Sequence, residues 1–332
     1  MRAVLPITRS CAECAAFFTL CLSVGHAAGQ VIDPSRFPSK PIRMIVPFPP
    51  SGSNDIIARF LAREMSGRLE QQVIVDNRAG ADGIIGTELA ARSPADGHRL
   101  LLVSRTFTMN PALHKLSYDA VTSFAPIALL AAGPNVITAT PSLPVKTVKD
   151  LIALAKAKPG QLHYSSSGIG GFNHFSGELF KTMAGVNITH IPYKGGGPAM
   201  LDVMSGQVEI TFGTLIQALP HIRSGKLKAL GVGSLKRSST LPEVPTISES
   251  AVPGYDASMW WGILSPAGLP APIVTRLNSE INAILREPEM AKRLSAEAAE
   301  PVINTPSAFG TQIVNDIALW TRVAKQTGIR SE

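Results

Sequence analysis

Three glycine- and serine-rich stretches of this sequence each follow a strand-like run and precede a helix-like one, and they hold the residues best suited to grip an anion. The first is Phe48-Pro49-Pro50-Ser51-Gly52-Ser53-Asn54-Asp55. A helix starting there presents backbone N–H groups without intrahelical partners at the positive end of its macrodipole. Gly52 lets a ligand approach the main chain, and the hydroxyls of Ser51 and Ser53 add donors. A carboxylate suits such a place without any lysine or arginine. Ordinary capping by Ser53 or Asp55 is compatible with that role. The second stretch, Ser165-Ser166-Ser167-Gly168-Ile169-Gly170-Gly171-Phe172-Asn173-His174, repeats the same physics. His174 there suits a cap, a carboxylate contact or a core contact, and taken alone it reads as structural. The third is Pro192-Tyr193-Lys194-Gly195-Gly196-Gly197-Pro198-Ala199, with Asp202 on the next helix placed to tie down a neighbouring loop. Arg105, just after a strand ending at Ser104, reads either as a distal carboxylate contact or as a solvated surface arginine.

Motifs for other chemistries fail on inspection. A G-x-G-x-x-G fingerprint begun at Gly168 needs glycine where Asn173 stands, and no G-x-x-x-x-G-K-[ST] loop occurs. The serines of the second loop lack a G-x-S-x-G elbow, and the histidines lack H-E-x-x-H spacing. All three cysteines, Cys11, Cys14 and Cys21, lie near the N-terminus, so the rest of the chain has no disulfide, thiolate nucleophile or cysteine metal ligand. Neither a metal nor a cofactor is expected. The formal charge of +7 comes from scattered lysines and arginines without a basic stripe interleaved with aromatics. That argues against a nucleic-acid partner and is compatible with steering of anions.

The elements that must position these loops are legible in the pattern. Arg2 and Arg9, the apolar run from Ala15 to Val24 and the small residues Gly25 and Ala27 form a signal-peptide pattern. Residues 1–27 are therefore expected to be cleaved on export to a bacterial periplasm. No later apolar run approaches the roughly 20 residues of a spanning helix. With 45% hydrophobic and 17% charged residues among 332, the chain has a substantial core and is neither disordered nor coiled coil. Strand-like Ile42 to Phe48 precedes a helix carrying Ile56, Ile57, Phe60, Leu61, Met65 and Leu69, and such alternation continues almost throughout. Thr147 with Asp150 spells a capping box, and Thr305-Pro306 opens a last helix with Phe309, Ile313, Ile317 and Trp320 on one face. Strand–helix–strand units favour mostly parallel sheets. Two α/β domains with a ligand cleft and hinge between them are expected: residues 31–132 with 255–332 as a discontinuous first domain, and 133–254 as the second. A single large doubly wound domain fits the periodicity nearly as well.

An ordered series of stretches resembles one known family over nearly the whole expected mature chain. They are Lys40-Pro41-Ile42-Arg43 leading into Ile45-Val46-Pro47-Phe48-Pro49-Pro50, Asp55 with Ala58-Arg59, and Val75-Asp76-Asn77-Arg78 with Gly80, Gly83 and Ile85-Gly86. Next come Asp96-Gly97 before Leu100-Leu101, and His190-Ile191-Pro192-Tyr193-Lys194-Gly195 with Pro198-Ala199 and Asp202. Leu241-Pro242-Glu243-Val244-Pro245-Thr246 and Trp261-Gly262-Ile263-Leu264-Ser265-Pro266-Ala267-Gly268 complete it. This resembles the Bug, or TctC-like, extracytoplasmic solute receptors of tripartite tricarboxylate transporters. The resemblance implies a periplasmic-binding-protein type II-like fold without catalysis, acting as a monomer. It also implies delivery of a small carboxylate (a di- or tricarboxylate, amino acid or aromatic acid) to integral-membrane transporter subunits. In the family the ligand is held largely by backbone, hydroxyls and water, from loops that match Phe48 to Asp55 and Ser165 to His174. Two departures stand out: the common Pro-Pro-Gly-Gly reads Pro49-Pro50-Ser51-Gly52, and Asn-Arg-Pro-Gly-Ala-Gly-Gly reads Asn77-Arg78-Ala79-Gly80-Ala81-Asp82-Gly83. Ser51 narrows the first loop, and Asp82 adds a negative charge. An orphan receptor feeding a sensor protein is a second reading. A secreted α/β hydrolase or transferase using His174 and a serine of the second loop is a third.

Overall fold

The structure is a computed structural model that describes Met1 and residues 33–296 and 298–329. Residues 2–27 of the segment expected to be cleaved, including its three cysteines, lie outside the described residues. From Ile42 onward, aliphatic and β-branched runs alternate with amphipathic helices. β1 (Ile42–Val46), α1 (Ser53–Leu69), β2 (Val73–Asn77), α2 (Ile84–Ala91), β3 (Arg99–Ser104), α3 (Thr106–Leu113) and β4 (Phe124–Gly133) come first. Pro134 alone then separates β4 from β5 (Asn135–Ala139), which lies in a different sheet. That second sheet is completed through α4 (Val148–Ala157), β6 (His163–Ser166), α5 (Phe172–Ala184), β7 (Thr189–Pro192), α6 (Gly196–Ser205), β8 (Ile210–Thr214), α7 (Leu215–Arg223) and β9 (Lys228–Val232). After α8 (Ile247–Ser250) the chain returns to the first sheet as β10 (Met259–Pro266). It ends with α9 (Ala271–Arg286), α10 (Pro288–Ala296), β11 (Glu300–Pro301) and α11 (Pro306–Thr327). The strand orders are β11-β4-β10-β3-β1-β2 and β7-β6-β8-β5-β9.

The expectation of mostly parallel sheets is corrected here. β1 is parallel to β2 and β3, and β6 to β7 and β8, as strand–helix–strand units require. β10, however, runs antiparallel to β3 and β4, and β5 antiparallel to β8 and β9. The cause is the passage between sheets. β4 carries the chain out of the first sheet and β10 brings it back, while β5 enters the second and β9 leaves it. Strands that cross in opposite senses pair antiparallel without a helical crossover.

Each sheet has its own core. Ile45, Leu101, Val103, Phe107, Phe124, Trp260, Phe309 and Ile313 pack on the first. Ile137, Leu151, Tyr164, Phe180, Phe212 and Tyr255 pack on the second, with Val136, Val203, Leu215 and Leu219 in a further cluster there. Local signals agree with these elements: Thr147 and Asp150 form the capping box of α4, and Thr305 caps α11, which buries Phe309, Ile313 and Trp320. Among the described residues no helix is long and apolar enough to cross a membrane.

Arg105 is not a solvated surface arginine. It is buried, and its Nε and Nη2 donate to Asp316 Oδ2 and Oδ1 at 3.1 and 3.2 Å. Nη1 donates to the Ser258 carbonyl, and Trp260 Nε1 donates to Asp316 Oδ2 at 2.6 Å. The guanidinium carbon lies 5.1 Å from the Trp320 ring centroid. Its charge therefore ties the end of β3, the start of β10 and α11 together instead of meeting solvent. Breaking such a buried pair from one side costs about 3–5 kcal/mol, because the remaining charge is left uncompensated. Asp316→Ala is expected to lose about that much in urea unfolding, and Arg105→Met combined with Asp316→Ala to recover most of it.

Candidate ligand-binding cleft

The first loop is held by its own side chains. Asp55 accepts hydrogen bonds from Ser51 N–H at 3.0 Å, Arg59 Nε at 2.9 Å and Asn77 Nδ2 at 3.0 Å, and Asn77 Nδ2 also donates to the Phe48 carbonyl at 3.1 Å. Burial alone would raise the Asp55 carboxyl. The hydrogen bonds from Arg59, Ser51 and Asn77 outweigh burial and hold it below the ordinary carboxylate value. Capping by Ser53 or Asp55 is corrected: the N-cap of α1 is Gly52, with no side-chain cap, and Asp55 reaches back to Ser51 instead. Ser51 itself sits at φ 67, a left-handed conformation that glycine adopts freely and serine at a cost. Pro50 is exposed at the tip, the Phe48 ring packs beside Gly83, and Ser104 ends β3 with its buried Oγ unpartnered among the described residues. Asn54, passed over in the sequence, is buried there too with Oδ1 unpartnered.

The second loop is likewise self-contained. Ser165 Oγ donates to the Ala199 carbonyl at 3.0 Å, and Ser166 Oγ accepts from Gly168 N–H at 3.1 Å. The single proton of Ser166 Oγ faces both the Gly168 carbonyl at 2.9 Å and His190 Nε2 at 2.5 Å. Ser166 is fully buried, so its hydroxyl shapes the turn instead of standing free as a ligand donor. Ser167 is half-buried, with Oγ 3.4 Å from Asn173 Oδ1. His174 Nδ1 accepts from Gly170 N–H at 3.0 Å, and its ring stacks on His190 at 3.9 Å between centroids. The pairing of His174 with a serine is therefore not formed, and the histidine beside Ser166 is His190. Burial first, then the charge of Lys181, lowers His174 to about 4. Burial and the neighbouring His174 lower His190 to about 3. Neither is a base matched to neutral pH.

The third loop leans on the second through Tyr193 N–H to the Ser166 carbonyl and Gly195 N–H to the Ser167 carbonyl, each at 3.0 Å. Tyr193 Oη donates to Asp202 Oδ2, so Asp202 ties down this loop as the sequence suggests. Burial and that carboxylate push the phenol up to about 12. Gly195 caps α6 at φ 118, again without a side-chain cap.

Loops from the two sheets come together at two places. A Cβ placed on Gly52 would lie 3.9 Å from Gln217 Nε2 of α7, and one on Gly196 would lie 3.6 Å from Gln217 Oε1. Asp82 Oδ1 would lie 3.8 Å from a Cβ on Gly168 and 3.9 Å from one on Gly171. α1, α5, α6 and α7 all begin here with N-caps Gly52, Gly171, Gly195 and Thr214, none with a side-chain cap. Their first N–H groups have no intrahelical partners, and such groups suit an anion. Gln217 escaped the sequence reading, although Thr211-Phe212-Gly213-Thr214 is one more strand-to-helix junction that would have pointed to it. Arg105 stands apart, its guanidinium held by Asp316 and Ser258.

Residues 57–329 match the family model described as the tripartite tricarboxylate transporter family receptor, TctC. Protein BugT of Bordetella pertussis is 38% identical over 302 residues, covering 90% of this chain and 93% of BugT. A protein encoded in the tcbD-tcbE intergenic region of Pseudomonas sp. strain P51 is 34% identical, covering 92% of this chain and 90% of its own length. Among solved structures, R. palustris Rpa4515 with adipate superposes with a TM-score of 0.85 at 36% identity, covering 89% of this chain and all (100%) of that one. The periplasmic binding protein BugD gives 0.82 at 35% identity, covering 89% and 100%. MatC from Rhodopseudomonas palustris with bound malate gives 0.79 at 28% identity, covering 86% and 99%.

The stacked histidines make the fold acid-sensitive. Both are lowered in the folded chain, to about 4 for His174, from an unfolded value of 6.5. Between pH 6.5 and 4 the unfolded chain therefore binds protons that the folded chain does not. Stability is expected to fall as pH drops through that window, by up to about 1.4 kcal/mol per pH unit for each histidine. Urea midpoints across the range measure it, and His174→Asn is expected to flatten the slope.

Proposed function

The chain belongs to the tripartite tricarboxylate transporter receptor family, solute-binding proteins rather than enzymes, and from that premise we propose that it captures a small carboxylate where the two sheets meet. The fold is the two-sheet α/β architecture of the periplasmic binding proteins it resembles. The carboxylate rests on the uncapped starts of α1, α6 and α7, with Gly52 giving access to the main chain and Gln217 facing it from the second sheet. The observation that carries this reading is that the glycine-started helices α1 and α6 approach Gln217 of α7 from the two sheets. Thr147, Thr246 and Thr305 cap α4, α8 and α11 with their own oxygens, whereas α2, α3 and α9 also start without a side-chain cap.

Residues 31–132 with 255–332 form one lobe and 133–254 the other, hinged at the crossings around Pro134 and Tyr255. The ligand favours the closed lobes through contacts to both. The protein is exported to the periplasm and hands the solute to membrane subunits of the transporter. Adipate and malate, bound by the relatives Rpa4515 and MatC, are the first ligands to try, followed by amino and aromatic acids.

A thermal-shift screen of these acids tests the proposal. A ligand at 100 times its Kd is expected to stabilise the fold by about 2.7 kcal/mol. Gly52→Leu fills the approach towards Gln217 and is expected to weaken binding at least about tenfold by calorimetry. Lys226→Ala, on an exposed lysine, is expected to alter mainly the association rate and its salt dependence. Binding unaffected by Gly52→Leu, or no carboxylate bound at all, overturns the reading.

A further inference from the structure

We propose that Asp82 sets the ligand class: it stands as a fixed negative charge at the α5 end of the cleft and selects a carboxylate that also carries an ammonium or another hydrogen-bond donor over a dicarboxylate. This rests on the cleft proposed above and sharpens it.

Asp82 lies in the 3₁₀ turn Ala81–Gly83, from the first sheet's side, with φ 49 and ψ 36. Ala81 before it has φ 46, so two successive non-glycine residues occupy the left-handed region. Asn110, buried on α3, holds this turn by donating Nδ2 to the Asp82 carbonyl at 3.1 Å. The backbone thus fixes where the side chain goes, and it goes towards the second sheet. Its Oδ1 lies over the turn formed by Gly168 and Gly171, within 3.8 and 3.9 Å of the Cβ positions there. A Cβ on either glycine would be in van der Waals contact with the carboxylate.

The carboxylate has no hydrogen bond and no ion pair among the described residues, and burial raises its pKa. His114 is near enough to favour the ionised form but makes no ion pair with it. Its Nε2 is buried and unpartnered among the described residues, 3.8 Å from the Cβ position on Gly170. A carboxylate held in place without donors, in a cleft whose other end offers N–H groups, is half of a recognition pair. A ligand ammonium completes it with a charge-assisted hydrogen bond, whereas a second ligand carboxylate meets a like charge.

The test uses matched probes of two lengths: succinate against 4-aminobutanoate, and adipate against 6-aminohexanoate. Calorimetry gives the ratio of diacid to amino-acid Kd for the unmodified protein, Asp82→Asn and Asp82→Gly. Asparagine and glycine both tolerate the left-handed backbone, and unliganded melting temperatures verify that the variants fold. The unmodified protein is expected to favour the amino acid at the length that fits. Both variants are expected to lower that ratio about tenfold to a hundredfold, the worth of a charge-assisted hydrogen bond. A ratio that is the same in all three proteins overturns the role of Asp82 while leaving the carboxylate cleft intact. Failure of every probe and of the wider acid series to bind overturns the cleft, and the role of Asp82 with it.

Discussion

Removing a lone guanidinium from water costs several kcal/mol, so an arginine buried beside a tryptophan has to be neutralised where it stands. Arg105 meets that constraint with both oxygens of Asp316 and the Ser258 carbonyl, and the solution couples three parts of the chain distant in sequence. It anchors the end of β3 to the start of the returning strand β10 and to α11. The coupling then passes to the other sheet, because Trp320 of α11 packs edge-on against Phe175 of α5 with centroids 5.5 Å apart. α5 is the helix that directly follows Gly170 and Gly171. A single ion pair thus relates a strand end of the first sheet to the ligand loop of the second.

Within that frame the loops divide their labour between side chain and main chain. Asp55 and Asn77 hold the first loop from behind, Ser166 and His190 the second, and Asp202 with Tyr193 the third. The side chains most suggestive of ligand chemistry are consumed in shaping turns. The main chain at the starts of α1, α5 and α6 is left free of side-chain caps at Gly52, Gly171 and Gly195.

The loops themselves were legible in the sequence because strand-to-helix junctions rich in glycine and serine have few other uses, and the periodicity of α1 and α11 left little choice of buried face. Three things were not. The antiparallel strands follow from where the chain changes sheets, and Gly133-Pro134-Asn135 carries no local mark of that. The burial of Arg105 depends on Asp316, which is 211 residues away. The work of Ser166 depends on His190, on a neighbouring strand of the sheet, as the contact between Gly52 and Gln217 depends on how the two sheets meet. Each is a pairing set by tertiary structure, to which spacing along one chain is blind. Asp82 is the intermediate case. Its charge stood out in the sequence as a departure within a glycine-rich stretch, but only the fold shows that the left-handed turn aims it at Gly168 and Gly171.

The distribution of charge around the cleft then follows a consistent logic. The chain carries a formal +7, yet the arginines nearest the loops, Arg59 and Arg105, are paired with Asp55 and Asp316. With those two paired, the helix N-termini beside the loops offer fractional positive charge spread over several N–H groups. Such donors bind an anion without the desolvation penalty of a second full charge. A receptor that must give its solute up again gains from that. Against this mild positive surface the carboxylate of Asp82 weighs heavily, because among the described residues it makes no ion pair. On the reading proposed above, discrimination between ligands of the same length is therefore concentrated in Asp82, while the carboxylate is held by the main chain of three helices.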